Sequence, residues 1–80
     1  MKITKQEKKD GVENIYFDTQ EWVAVDKSEG LWEYQEGDDE ESYISGGFVV
    51  DGGTVIDYDG CYELPKAVML ALALFYEMDI

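Results

Sequence analysis

The sequence contains no histidine, no arginine and only one cysteine, Cys61. Histidine is the commonest general base and transition-metal ligand in proteins, so its absence excludes serine–histidine and cysteine–histidine catalysis within this chain. A single cysteine excludes both an intramolecular disulfide and a cysteine-ligated zinc site. We therefore expect a protein with no enzymatic activity, no catalytic residues, no metal centre and no cofactor.

Positive charge is also scarce, and it is unevenly distributed. The 80 residues carry 6 lysines and 19 acidic side chains, which gives a formal net charge of −13. Residues 1–9 sum to +3, whereas residues 10–80 sum to −16. Such a chain is repelled by nucleic acid and by anionic membranes and is attracted to basic surfaces. Solubility alone would also account for the carboxylates, since acidic residues keep small proteins in solution.

Long hydrophobic runs are missing as well. The longest apolar stretch, Ala67–Tyr76, is far shorter than the roughly 20 residues that a membrane-spanning helix needs. The basic amino-terminal segment is not followed by the apolar stretch of a secretory signal. With one free thiol, these absences predict a cytoplasmic protein. The length predicts one small domain, residues 1–80, in which residues 1–11 form a flexible basic arm or an edge strand.

Short strand-forming runs separated by polar or glycine-containing turns occupy residues 12–58. Four such runs lie at 14–17, 21–27, 31–35 and 42–50. The last run is interrupted by Gly46–Gly47, where we expect a bulge or a bend. Asp51–Gly53 separates two β-branched runs and predicts a tight hairpin. Glu36–Glu41 is the most polar stretch and is expected to be an exposed loop.

After Gly60 the pattern changes and predicts one helix over residues 65–78, because proline is tolerated in the first turn and good helix formers follow. Ala67–Tyr76 contains no charged residue, so the helix lacks a polar face of the usual width. The flanking charges oppose the helix dipole, so burial must hold the helix in place. The side chains at helical spacing that should face a sheet are Val68, Ala71, Leu72 and Phe75.

These elements predict an α+β fold, in which an antiparallel sheet of four or five strands forms a meander and one carboxy-terminal helix packs on a face. One face of a small sheet covers only part of such a helix. Leu70 and Leu74 are therefore candidates for self-association in a homodimer, with coverage by the chain's own loops as the alternative.

Two local patterns invite a ligand. Asp57-Tyr58-Asp59-Gly60 is similar to part of a calcium-binding loop, but it lacks the first aspartate and the distal glutamate, so we interpret it as a turn. The tryptophans and tyrosines would stack on bases only beside a basic groove, which the sequence does not supply. The acidic side chains are better candidates for contact with a basic protein: Glu33, Glu36, Asp38, Asp39, Glu40, Glu41, Asp57 and Asp59.

In size and charge the chain resembles the DNA-mimicking inhibitors of bacteriophages, which include anti-restriction proteins, uracil-DNA glycosylase inhibitors and anti-CRISPR proteins. The resemblance lies in overall character and not in a shared motif. It implies an acidic inhibitor that occupies the basic nucleic-acid-binding surface of another protein, such as a CRISPR effector complex or another host defence nuclease. A small structural or regulatory protein that dimerises through its helix, and an immunity protein against a basic toxin, remain as alternatives. A mimic should gather its carboxylates on one contiguous surface.

Overall fold

The computed structural model describes residues 1–59 and 64–78, and these residues form seven strands and one short helix. The strands are β1 (Ile3–Lys9), β2 (Val12–Phe17), β3 (Glu21–Asp26), β4 (Leu31–Glu36), β5 (Asp39–Asp51), β6 (Thr54–Asp59) and β7 (Glu77–Met78), and the helix is α1 (Lys66–Ala73). All seven strands lie in chain order in one curled sheet, a half-barrel. The fold is therefore α+β, as predicted, and it is dominated by the sheet.

The prediction of four or five antiparallel strands is wrong, because the sheet has an additional strand at each edge, β1 on one side and β7 on the other. The amino-terminal segment forms β1, the edge strand that was one of its two expected forms. β1 pairs with β2, but every side chain of β1 is exposed. Its sequence therefore lacks the alternation of apolar and polar residues that predicts a strand. At the other edge, β7 pairs in parallel with β6, with Glu77 opposite Thr54. The sheet is consequently mixed.

The helix is shorter than predicted, since it ends at Ala73 and not at residue 78. The backbone N–H of Tyr76 still donates to the carbonyl of Leu72 at 3.0 Å, which closes a final turn. The N–H of Glu77 then donates to the carbonyl of Gly53 at 2.9 Å and directs the chain into β7. Residues 77–78 therefore pair with β6 and do not extend the helix.

The core lies between the concave face of the sheet and α1, which packs against β3, β4 and β7. Alternate residues of β2, β3 and β4 point into it, as the period of two requires. Its buried members are Ile15, Phe17, Val23, Val25, Trp32, Tyr34, Phe48, Val55, Ala67, Val68, Ala71 and Leu72. The predicted helix stripe is confirmed, because Val68, Ala71 and Leu72 are buried and Phe75 packs against the same cluster.

The hairpin between β5 and β6 is confirmed. Gly52 and Gly53 have φ values of 60° and 85°, and this left-handed region is the one that a tight hairpin turn requires of its central residues. A bulge or a bend was predicted at Gly46–Gly47, and the bulge is wrong, since both glycines pair in regular register with β4. The register of β5 shifts instead opposite Gln35 and between Val49 and Val50.

The loop predicted at Glu36–Glu41 is reduced to a turn at residues 37–38, because β4 extends to Glu36 and β5 begins at Asp39. The side chain of Ser42 bridges the irregular start of β5. Its hydroxyl donates to the carbonyl of Asp39 at 2.6 Å and accepts the backbone N–H of Glu36 at 2.8 Å. These bonds hold a highly charged segment in a defined conformation.

Replacement of Leu72 by alanine should lower the free energy of unfolding by about 2–5 kcal/mol, because Leu72 is fully buried between α1 and the sheet. Leu70→Ala is the matched control in the same helix, and it should cost about 1 kcal/mol or less because Leu70 is exposed. Urea unfolding of both variants measures the difference. Equal losses would contradict the placement of the helix.

Candidate functional site

Two turns lie side by side at one end of the sheet. The turn between β2 and β3, residues 18–20, contacts the turn between β4 and β5, because the N–H of Gly37 donates to the carbonyl of Gln20 at 2.8 Å. Gln20 and Gly37 both adopt positive φ, 70° and 53° respectively, and they continue the β3–β4 register by one position beyond the pair Glu21 and Glu36. In an antiparallel meander every second turn falls at the same end of the sheet, and here the two turns also bond to each other.

This contact gathers carboxylates from both hairpins, and we call the result the acidic turn surface. Its members are Asp18, Glu21, Glu36, Asp38, Asp39, Glu40 and Glu41. All of them are exposed except Glu21, which is half-buried. Five of the eight candidates from the sequence belong to this surface, and Asp18 and Glu21 join them.

Positive charge does little to neutralise the acidic turn surface. Lys2 lies at this end, and its backbone N–H donates to the carboxylate of Asp18 at 2.9 Å. The ion pairs found among residues 1–59 and 64–78 lie elsewhere, between Lys5 and Glu7 and between Lys27 and Glu13. The carboxylates at the two turns therefore keep an uncompensated negative potential that a basic partner can use.

A tyrosine from the core holds two of these carboxylates. Glu21 and Glu36 are direct neighbours across β3 and β4. The hydroxyl of Tyr34 lies 2.6 Å from Glu21 Oε2 and 3.0 Å from Glu36 Oε1. A phenol has one proton, so Tyr34 donates to one carboxylate at a time and holds like charges close together. Burial of Tyr34, together with its contacts to the two carboxylates, raises the pKa of its phenol.

The remaining sequence candidates lie away from this surface. Glu33 is half-buried in the middle of β4, where it accepts a hydrogen bond from the Tyr43 hydroxyl, and this bond raises the pKa of Tyr43. Asp57 is exposed on β6, opposite Val49. The side chain of Asp59 lies outside the described part of the chain.

The partial calcium-loop pattern beginning at Asp57 can be examined only in part, because residues 60–63 also lie outside the described ranges. Across residues 1–59 and 64–78, no three metal-binding side chains converge.

Asp18 and Glu21 were missed because they belong to a different hairpin from residues 36–41. A sequence signal for them existed, since the alternation of turns in a meander already places the β2–β3 and β4–β5 turns at one end. The hydrogen bond between the turns was not readable in advance. It depends on the register of β3 and β4, which places Gln20 opposite Gly37 and which the sequence pattern does not determine.

The two self-association candidates border a separate apolar groove of about 540 Å³. Leu70 and Leu74, which are 36% and 46% exposed, share this groove with Met1, Ile3 and Phe17. We call it the helix groove. The amino terminus thus reaches the exposed side of α1 without covering it. The described residues contain no helix of the length and apolarity that a bilayer span requires.

The chain matches no protein-family model, no curated protein and no solved structure. Its function must therefore be inferred from its own surfaces.

The free energy of unfolding should fall as the pH rises above about 10, where phenols of the unfolded chain ionise. Because the pKa of Tyr34 is raised in the folded state, the folded chain keeps a proton that the unfolded chain releases. Each such group contributes a slope of up to about 1.4 kcal/mol per pH unit. Tyr34→Phe should make the fall shallower in urea unfolding experiments between about pH 9 and pH 11. Identical slopes for wild type and variant would exclude this role of Tyr34.

Proposed function

We propose that this protein is an acidic inhibitor that binds the basic nucleic-acid-binding surface of another protein and blocks the access of nucleic acid to it. The observation that supports the proposal best is the acidic turn surface, where two bonded turns and the strand ends beside them carry seven carboxylates without a lysine ion pair among the described residues. A protein whose acids served solubility alone would have no need to gather them. The resemblance to phage DNA mimics makes a CRISPR effector complex or another defence nuclease, in the cytoplasm, the proposed target.

The spacing of the charges supports mimicry of a nucleic-acid backbone. Duplex DNA carries one negative charge per about 1.7 Å of its axis, and its partners display lysine and arginine at a matching density. Neighbouring strands are about 4.8 Å apart, so carboxylates on two adjacent turns present charges separated by a few ångströms. The bond between the turns and the bonds of Ser42 to the backbone fix the conformation of the turns, and Tyr34 holds the carboxylates of Glu21 and Glu36.

Charge reversal at the centre of this surface, Asp38→Lys with Asp39→Lys, should weaken binding to a basic partner strongly, because attraction becomes repulsion at two positions. Stability should change little, since exposed carboxylates contribute little to it. The matched control is Asp51→Lys with Glu77→Lys, which makes the same change in net charge at two exposed positions beside the β5–β6 hairpin and should keep the affinity. Full affinity in the first variant would show that the interface lies elsewhere.

The partner for this comparison comes from affinity capture at low salt from a bacterial lysate, followed by elution with duplex DNA. We expect DNA to release nucleic-acid-binding proteins, and we expect rising salt to weaken the same complexes because exposed charges are screened over about 8 Å at physiological ionic strength. An immunity protein against a basic toxin would instead retain its partner in the presence of DNA unless the toxin itself bound DNA. Captured proteins that neither DNA nor salt releases would contradict the proposal.

The helix groove supports a second candidate function, a small structural or regulatory protein that dimerises through α1. Leu70 and Leu74 place apolar side chains in water at a site flanked by Met1 and Ile3. An exposed apolar patch of this kind is typical of an interaction surface. The two functions are compatible, because the helix groove and the acidic turn surface use different residues.

Leu70→Glu tests the second candidate directly. A dimer that buries Leu70 should dissociate, because an unpaired carboxylate would be desolvated at its interface, whereas a monomer should be unaffected. Molar mass by light scattering over a range of concentrations is the measurement. Ile56→Glu is the control, since Ile56 is an exposed apolar residue on β6. A wild type that stays monomeric at every concentration would remove the dimer from the account.

A further inference from the structure

The face of the sheet opposite α1 carries a groove of about 420 Å³ that the acidic turn surface does not include. We call it the outer groove, and it lies over β3, β4 and β5. Its floor exists because two positions have small or no side chains, namely Ala24 on β3 and Gly47 on β5. Gly47 pairs with Leu31, and Ala24 pairs with Glu33, so the small residues alternate with larger ones across the strands.

The walls of the outer groove are apolar and open to solvent. Leu31 is 50% exposed and Tyr43 is 42% exposed, and both line the groove. Large apolar side chains on both sides of a depression are typical of a place where a partner inserts a side chain.

Two carboxylates complete the lining. Asp26 is the cross-strand partner of Leu31, and Glu33 lies two residues farther along β4. The two acids are therefore diagonal neighbours, a relation that places them about 7–8 Å apart. Within residues 1–59 and 64–78, no lysine forms an ion pair with either carboxylate.

Both carboxylates are held in position by their surroundings. Asp26 Oδ1 accepts hydrogen bonds from the hydroxyl and N–H of Ser28 and from the N–H of Glu29, at 2.8 to 3.2 Å. The bond from the Ser28 hydroxyl and that from the Glu29 N–H lower the pKa of Asp26, so it remains ionised. Glu33 Oε1 accepts a hydrogen bond from the Tyr43 hydroxyl. A cation entering the groove meets fixed charges and not mobile ones.

We propose that the outer groove binds an arginine side chain of the basic partner. The inference rests on the proposed function only for the existence of such a partner. A planar guanidinium has donors that can reach two carboxylates at once, and it stacks on aromatic rings such as that of Tyr43. The aliphatic stem of arginine would lie against Leu31. Lysine concentrates its charge at one point and is hydrated more strongly, so it fits this lining less well.

The position of the groove gives it a role distinct from that of the acidic turn surface. Glu33 lies on β4 three residues before Glu36, about 10 Å along the strand at 3.3 Å per residue. Side chains alternate along a strand, so Glu33 lies on the outer face and Glu36 on the face of Tyr34, and one partner contacts both sites only by reaching around the end of the sheet. The exposed turn carboxylates attract the partner over a distance, and the outer groove selects one arginine and fixes its register.

The test uses a probe that needs no identified partner. The ¹⁵N-labelled full chain is titrated with the peptides Ac-Gly-Arg-Gly-NH₂, Ac-Gly-Lys-Gly-NH₂ and Ac-Gly-Nle-Gly-NH₂, and amide shifts are followed by NMR. We expect shifts at Ala24, Leu31, Glu33 and Ser45, with arginine binding more tightly than lysine and the neutral norleucine peptide not binding. Arginine shifts confined to the acidic turn surface, or equal affinities for arginine and lysine, would overturn the proposal.

Two variants separate the groove from general acidity. Glu33→Gln should weaken the arginine peptide by about three- to fivefold, the effect expected of one exposed or half-exposed charge pair. Glu77→Gln makes the same change in charge at an exposed position on β7, outside both acidic sites, and should leave this affinity unchanged. Leu31→Ala, at an exposed position, supplies a second variant if Glu33→Gln is unstable, and it should also weaken the peptide. Equal effects of Glu33→Gln and Glu77→Gln would refute the groove.

These outcomes are independent of those for the proposed function. Capture of nucleic-acid-binding proteins without binding of the arginine peptide in the outer groove would support the proposed function and contradict the proposal for the groove. Binding of the peptide there without capture of such proteins would support the proposal for the groove and contradict the proposed function.

Discussion

The burial of α1 is the constraint on which the rest of the molecule depends. The helix has no charged residue other than Lys66, which lies in the first turn and opposes the helix dipole, so packing against the sheet must hold it. The sheet curls around it, and apolar side chains fill the concave face. Among residues 1–59 and 64–78 the buried carboxylate is that of Glu13, which is paired with Lys27 at 3.6 Å, and the ammonium of Lys27 also lies over the ring of Phe75. This buried acid therefore has a lysine partner.

Most acidic side chains are excluded from the interior, so they lie on the turns and on the outer face of the sheet. At the turns the carboxylates repel one another. Backbone hydrogen bonds nevertheless keep the two turns together. The bond from Gly37 to Gln20 joins two hairpins, and Tyr34 extends from the core to Glu21 and Glu36. Contacts that stabilise the sheet thus also determine where the charges of the two turns lie.

The sequence was most informative where a local pattern determines local structure. The Gly52–Gly53 hairpin and the buried stripe of α1 follow from turn chemistry and from helical spacing, and both were predictable. β1 was not, because its exposed polar side chains carry no period, and β7 was not, because two residues are too few to show one. The candidate site was half predictable for the same reason. Glu36 and Asp38–Glu41 are neighbours in sequence, whereas Asp18 and Glu21 join them only through pairing between hairpins.

We propose that the carboxylates at the two paired turns, at one end of the sheet, form the surface that contacts a basic partner. Hydrogen–deuterium exchange of the chain, free and bound to a nucleic-acid-binding protein that it captures, tests this most directly. The account predicts that binding slows exchange at residues 18–21 and 36–41 and leaves the turn at Gly52–Gly53 unchanged. Protection confined to the helix groove or to the β5–β6 hairpin, with the two acidic turns unaffected, would contradict it.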